Sequence, residues 1–211
     1  MNLIKMVVMT RRGLVIGMIG LAMSMAVLLV GCPLQLVFFP DHALESAVRN
    51  SLNKPFGLLT TADLLNVRVL DGRGLGITDL RGLEYCQNLA WLDLDTNKIT
   101  DLSPLGQLGR PANPFDSPLV YLNLDDNQIT DISALAGLLN LQGISLFGNQ
   151  IADIGPLVVN ATNMGLGYGD YVILNSATLN DLAISVDIPT LLTFGVNVIT
   201  AESATTGTTG K

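Results

Sequence analysis

The sequence predicts an α/β solenoid, a short right-handed horseshoe or arc. It would carry a parallel sheet on the concave face, a helical cap at the N-terminal end and a capping unit at the C-terminal end. Three observations predict this. LAWLDLDTNKITDLSPL (89–105), LVYLNLDDNQITDISAL (119–135) and LQGISLFGNQIADIGPL (141–157) align without gaps on the frame L-x-x-[IL]-x-L-x-x-N-x-I-x-D-[IL]. Ile99, Ile129 and Ile151 mark the register, and the last two lie 22 residues apart. No unit of that length can bury its apolar edge alone, so neighbours must stack.

The N-terminal 31 residues read as an address. Lys5, Arg11 and Arg12 precede an uncharged run over residues 14–30, which Gly31 and Cys32 follow. A basic start, an apolar run and a small residue before the cut describe a secretory signal. Leu29-Val30-Gly31-Cys32 resembles the lipobox of bacterial lipoproteins. That resemblance implies a signal peptide over 1–31, an acylated Cys32 bearing palmitate-type chains, and a lipid-anchored linker over 32–38. The alternative is an uncleaved signal anchor, since 17 residues approach the lower limit of a membrane span. Pro33 in place of an acidic residue points to the outer membrane or cell surface.

The N-terminal cap is expected over 39–66. FPDHALESAVRNSLNK (39–54) has the spacing of an amphipathic helix, with Asp41 as N-cap and Leu44, Val48 and Leu52 on one face. TTADLL (60–65) predicts a second short helix. The repeats follow over 67–164, beginning with a degenerate unit, VRVLDGRGLGITDL, marked by Ile77. In each strand alternate residues point the same way, so Leu92 and Leu94, Leu122 and Leu124, Ile144 and Leu146, and Val172 and Leu174 should face the core. Asn97, Asn127 and Asn149 should turn inward and satisfy backbone groups in the bend. Asp79, Asp101, Asp131, Asp153 and Asp181 should cap the helical turn that follows. GRPANPFD, around 110–116, lengthens one repeat by about eight residues. It should bulge from the convex side or a rim, where it could break the stacking. Residues 165–200 read as a degenerate repeat and cap, with Leu179 in the Ile slot and Ala177 in the Asn slot. Residues 201–211 read as a disordered tail.

Across 39–200 the chain resembles bacterial internalin-like, SDS22-type leucine-rich repeat proteins. The F-P-D…L-E-S-A-V-R helix, T-T-A-D-L, G-I-T-D-L-R-G-L-E-Y, the three repeats, G-L-G-Y-G-D-Y-V-I-L and I-P-T-L-L-T-F-G-V-N-V carry the resemblance. It implies protein binding through the concave face.

The residues themselves exclude several functions. Net charge is −7, from 18 acids against 11 bases, and four of the bases precede residue 50, so no basic patch supports nucleic-acid binding. His42 is the only histidine, which leaves little for histidine catalysis or a multi-histidine metal site. Asp93, Asp95, Asn97 and Asp101 have the spacing of a calcium loop, but Lys98 stands where such a loop needs Gly and Pro104 where it needs Glu. No metal and no cofactor is expected. Cys86 reads as a buried apolar residue, and Asn160-Ala161-Thr162 as a glycosylation sequon unlikely to be used.

The exposed strand positions are the candidate binding site: Trp91, Asp93, Asp95, Tyr121, Asn123, Asp125, Phe147 and Tyr171, with Gly143, Ser145, Ile173 and Asn175 in the same rows. Trp91 and Tyr121 should be cross-strand neighbours, as should Asp95 and Asp125. An aromatic strip beside acids resembles a protein-binding hot spot. The Asp pair lies on an open face, which argues against acid–base chemistry. The expectation is a lipid-anchored envelope protein that binds a protein partner and is not an enzyme. The alternative is a structural spacer with no specific concave ligand.

Overall fold

The Leu-x-Leu segments form strands because alternate residues there are large and apolar and find the same residues one repeat away. The structure, a computed structural model, describes residues 35–108 and 119–201. The chain divides into two units, Met1–Gln35 and Leu36–Lys211, and the elements below belong to the second. The signal segment 1–31, Cys32, the 110–116 insert and residues 202–211 of the tail lie outside the described residues.

Six strands form one parallel sheet in chain order: β1 (Val69–Asp71), β2 (Trp91–Asp93), β3 (Tyr121–Asn123), β4 (Gly143–Ser145), β5 (Tyr171–Asn175) and β6 (Asn197–Ala201). Each repeat contributes one strand, so the strands stack in the order in which the repeats follow one another. Leu70, Leu92, Leu122, Ile144 and Val172 stand in one row and are buried. Burying each contributes about 1.5–3 kcal/mol. Leu94, Leu124, Leu146 and Leu174 form the next buried row, and Ile77, Ile99, Ile129 and Ile151 the one beyond. Register continues across the insert, with Trp91 paired to Tyr121 and Leu92 to Leu122. The strands on either side of the insert therefore stack regularly.

The bend after each strand is closed by asparagine. Asn127 is buried; its Nδ2 donates to the carbonyls of Leu94 (3.0 Å), Leu124 (3.1 Å) and Asp125 (2.9 Å), and its Oδ1 accepts the Ile99 N–H at 3.0 Å. Asn97 repeats the pattern with Gly72, Leu94, Asp95 and Ile77, and Asn149 with Leu124, Leu146, Phe147 and Ile129. Each amide thus ties its own bend to the preceding repeat. An inward Asn97 with its amide so occupied cannot ligate calcium.

The aspartates turn the chain rather than cap the helical turn as predicted. Asp79, Asp101, Asp131 and Asp153 each accept the backbone N–H two residues on, and the helical turns that follow start from Gly82, Pro104, Ile132 and Ile154 with no side-chain cap. At the fifth the sequence reading was one residue off. Asn180 Oδ1 accepts the Ala183 N–H, while no such side-chain bond is seen at Asp181.

The ends are built differently. Helix α1 (His42–Ser51) starts at Asp41, whose Oδ1 accepts the N–H groups of Ala43 and Leu44. Asp41 Oδ2 accepts from Thr78 N–H (2.8 Å) and Thr78 Oγ1 (3.1 Å), which ties the helix to the first repeat. Helix α2 (Thr61–Leu64) begins with a capping box between Thr60 and Asp63. In the last full repeat the 3-10 turn is replaced by helix α3 (Gly155–Thr162), with Pro156 in its first turn. Asn160 of α3 is fully buried; its amide donates to Leu135 and Leu138 carbonyls and accepts the Leu166 N–H. That occupancy rules out glycan attachment to the folded chain. A π-helical turn (Ala183–Asp187) and helix α4 (Ile188–Thr193) then deliver β6. Among the described residues no helix is long and apolar enough to cross a membrane.

Replacing Asn127 with Ala strands the Ile99 N–H in the core, while the Leu94 and Leu124 carbonyls keep Asn97 and Asn149 as donors. At about 1–3 kcal/mol for an orphaned group, urea unfolding should show a loss of about 1–3 kcal/mol. Asp41→Ala should cost about 1–2 kcal/mol through the lost cap. Burial raises the Asp41 carboxyl, but the bonds from Thr78, Leu44 and Asp79 outweigh it and hold it below the usual range. A depressed folded value means the ionised form is the stabilised one. Its contribution is therefore present at neutral pH and lost as pH falls through the acid range, so the Tm difference between variant and parent should shrink as the solution is acidified.

Candidate functional site

The face of the sheet opposite the core presents three rows, set by the parallel register. Val69, Trp91, Tyr121, Gly143, Tyr171 and Asn197 form the first. Trp91 and Tyr121 are stacked, with ring centroids 5.4 Å apart and planes 12° from parallel. Both are half-buried, as is Tyr171. Gly143, between Tyr121 and Tyr171, is not an exposed position as predicted. A Cβ there would lie 2.5 Å from the Tyr171 ring, so the ring leans over the glycine. The missing side chain lets three aromatics draw together across four strands.

Asp71, Asp93, Asn123, Ser145 and Ile173 form the second row. Two of them depart from expectation. Asp93 is buried, at 5% exposure, with its Oδ1 accepting the Asp95 N–H at 3.2 Å and its Oδ2 3.7 Å from Arg73 Nε. Ser145, two strands further along the row, is also buried and donates to Asp125 Oδ1 at 2.6 Å. Asn123 stays half-exposed and its Oδ1 accepts the Asp125 N–H.

The third row brings Asp95, Asp125 and Phe147 together. Asp125 Oδ1 accepts both Ser145 Oγ and, at 2.7 Å, the Phe147 N–H. Burial raises the Asp125 carboxyl. The two hydrogen bonds oppose that, and the charges of Asp95 and Asp126 add to it, leaving it above the usual range. Asp95 accepts from Thr96 Oγ1. The Tyr121 phenol is likewise pushed up, by burial first and then by Tyr171, Asp93 and Asp125, with Arg73 acting in the opposite sense.

Arg73 was missed in the sequence reading. It makes a two-pronged ion pair with Asp71, at 2.9 and 2.8 Å, and stands at the edge of a shallow depression formed with Gly74, Asp95 and Thr96. The 22-residue offset from Ile77 to Ile99 already places it in the Asp95 slot. Asn175, also placed on this face, is buried at 9% and accepts the Ala177 N–H.

Cys86 is buried and its thiol is pushed up to about 12, mainly by burial, so it is not a reactive nucleophile at neutral pH. Among the described residues no cluster of three or more His, Cys, Asp or Glu side chains could hold a metal. The surface is a flat, polar-edged aromatic strip, suited to contact rather than to enclosing a small substrate.

A family model described as leucine-rich repeats, in two copies, matches residues 119–158. Internalin H of Listeria monocytogenes is 38% identical over 66 residues, which are 30% of this chain and 12% of that protein. Among solved structures, an internalin from Listeria monocytogenes is similar at a TM-score of 0.61 and 32% identity, covering 78% of this chain and 44% of that one. Internalin C2 of the same species is similar at a TM-score of 0.50 and 32% identity, covering 78% of this chain and 77% of that one. The chain therefore spans a small part of Internalin H and under half of the first solved internalin.

Asp125→Asn keeps the oxygen that accepts both hydrogen bonds and removes the buried charge. A raised folded value means stability is lost as pH rises through it, so the variant should gain most at neutral pH. Scanning calorimetry should give a Tm higher by about 1–3 °C at pH 7, with the gain shrinking as acidification protonates the parent carboxyl.

Proposed function

Because the chain belongs to the internalin-like leucine-rich repeat proteins, we propose that it binds another protein through the concave face of its sheet, on the Trp91–Tyr121–Tyr171 strip. The observation that carries this reading is the stacked Trp91–Tyr121 pair, half-exposed and continued by Tyr171 over Gly143. Large rigid aromatics presented together at the centre of a face supply most of the binding energy in protein interfaces. Asn123, Asp95 and Asp125 flank the strip with hydrogen-bond acceptors, a rim that fixes orientation. Asp93 contributes through Arg73 and the Asp95 backbone rather than by direct contact.

The same proposal places the protein in the cell envelope, exported by residues 1–31 and held at the outer membrane or cell surface by a lipid on Cys32. The lipobox-like Leu29–Cys32 and the uncharged run before it support that placement. No catalytic role is proposed, since the crowded Asp125 carboxylate lies on an open face.

Trp91→Ala combined with Tyr121→Ala should abolish retention of the partner in a pull-down from surface extracts, while the melting temperature moves little. Leu124→Ala is the control for general damage, with an expected loss of about 2–5 kcal/mol from a core cavity. Identical protein profiles from parent and double variant, both folded, would favour a spacer role.

A further inference from the structure

We infer that Phe38, Phe56 and Leu58 form a second membrane contact, an apolar patch of the N-terminal cap that seats on the surface of the bilayer. The inference rests on the proposed lipid anchor at Cys32 and adds a contact made by the folded repeat unit itself.

These side chains are exposed at 77%, 85% and 63%. Single exposed apolar residues are ordinary, but these are brought together by pairing. Leu36 bridges Thr60 in antiparallel fashion, and the Val37 N–H donates to the Leu59 carbonyl at 2.9 Å. That register sets Phe38 opposite Leu58. Val37 and Leu59 are buried, at 6% and 3%, so side-chain alternation turns Phe38 and Leu58 outward together. Phe56 lies in the bend that leads into the pair.

The bend is held in place. Arg49 Nη1 donates to the Lys54 carbonyl at 3.2 Å and Nη2 to the Gly57 carbonyl at 3.0 Å, while Nε is fixed by Glu45 at 2.8 Å. The exposed Phe56 is therefore presented by a clamped loop, and little ordering entropy remains to be lost when it is covered.

Charge and reach identify the occupant. Residues 33–40 and 55–62 contain no Asp, Glu, Lys or Arg, so both segments of the patch can meet a lipid interface without burying a charge. The neighbouring Lys54 is already paired with Asp63 at 2.8 Å. Phe38 follows Cys32 by six positions, and that length of chain fully extended reaches about 20 Å. Any bilayer that holds acyl chains on Cys32 therefore lies within reach of the patch. A modest apolar contact gains most when a tether already keeps it close to its target.

The test uses the full chain with Phe56→Cys carrying an environment-sensitive fluorophore, reconstituted in phosphatidylethanolamine/phosphatidylglycerol vesicles that contain a spin-labelled lipid. Cys86 is buried and unreactive, and the parent chain serves as the labelling blank. Thr193→Cys, at an exposed position of α4, is the wet reference. Co-flotation with severalfold stronger quenching at 56 than at 193 is the expected result. Co-flotation with equal, water-like signals overturns the patch while leaving the anchor standing. A label at 56 that is dry yet unquenched is covered by a second copy of the chain, which also overturns it. Failure of the chain to float removes the anchor and the inference together.

Discussion

The fold depends on a buried primary amide used once per repeat. The chain must leave each strand abruptly, and the bend would otherwise leave backbone donors and acceptors in an apolar core. Asn97, Asn127 and Asn149 meet that demand on both sides, within their own bend and across to the preceding one. The demand is strong enough to hold unfavourable backbone. Thr96 and Asp126, just before the asparagine, have φ of 56° and 49°, where only glycine sits without strain, and Gly148 fills the equivalent place before Asn149. Where the amide is missing the chain changes strategy. Leu75 stands in the first repeat's Asn slot and is 47% exposed, and closure there comes from Asp41 and α1.

The candidate site follows from the same constraint. Once each bend is locked to its predecessor, no strand can slip, and outward residues fall into straight rows. Trp91 meets Tyr121 face to face because both occupy the same slot, and Asp125 is crowded by Asp95 for the same reason. Attraction and repulsion on this face share one origin. The sheet cannot relieve the carboxylate crowding by shifting register without turning buried leucines outward.

The repeat, the inward asparagines and the Asp41 cap were legible because each rests on a short pattern whose partner is a fixed number of residues away. The environment of single side chains was less so. Asp93 has the alternation of an exposed residue, yet it is buried, with Arg73 from one repeat earlier 3.7 Å from its carboxylate. Gly143 reads as an open position until Tyr171, one strand later, is seen to lean across it. Asn160 reads as a sequon, yet its environment is made by carbonyls more than 20 residues upstream. In each case a long side chain or a distant backbone group decides, and strict periodicity carries no record of it.

The long third-repeat spacing has a further consequence. On either side of the insert every tie between repeats is intact: Val120 N–H donates to Ala90, Leu94 N–H to Asn123, and Asn127 joins Leu94 and Ile99. The solenoid thus separates two freedoms that most folds couple. Sequence around the strand and bend is fixed by its neighbours, whereas the length of a repeat is not: Ile99 and Ile129 lie 30 residues apart, Ile129 and Ile151 only 22, and the strands on both sides keep the same register. A solenoid of this kind can lengthen or shorten a repeat in evolution without moving a residue of its sheet face.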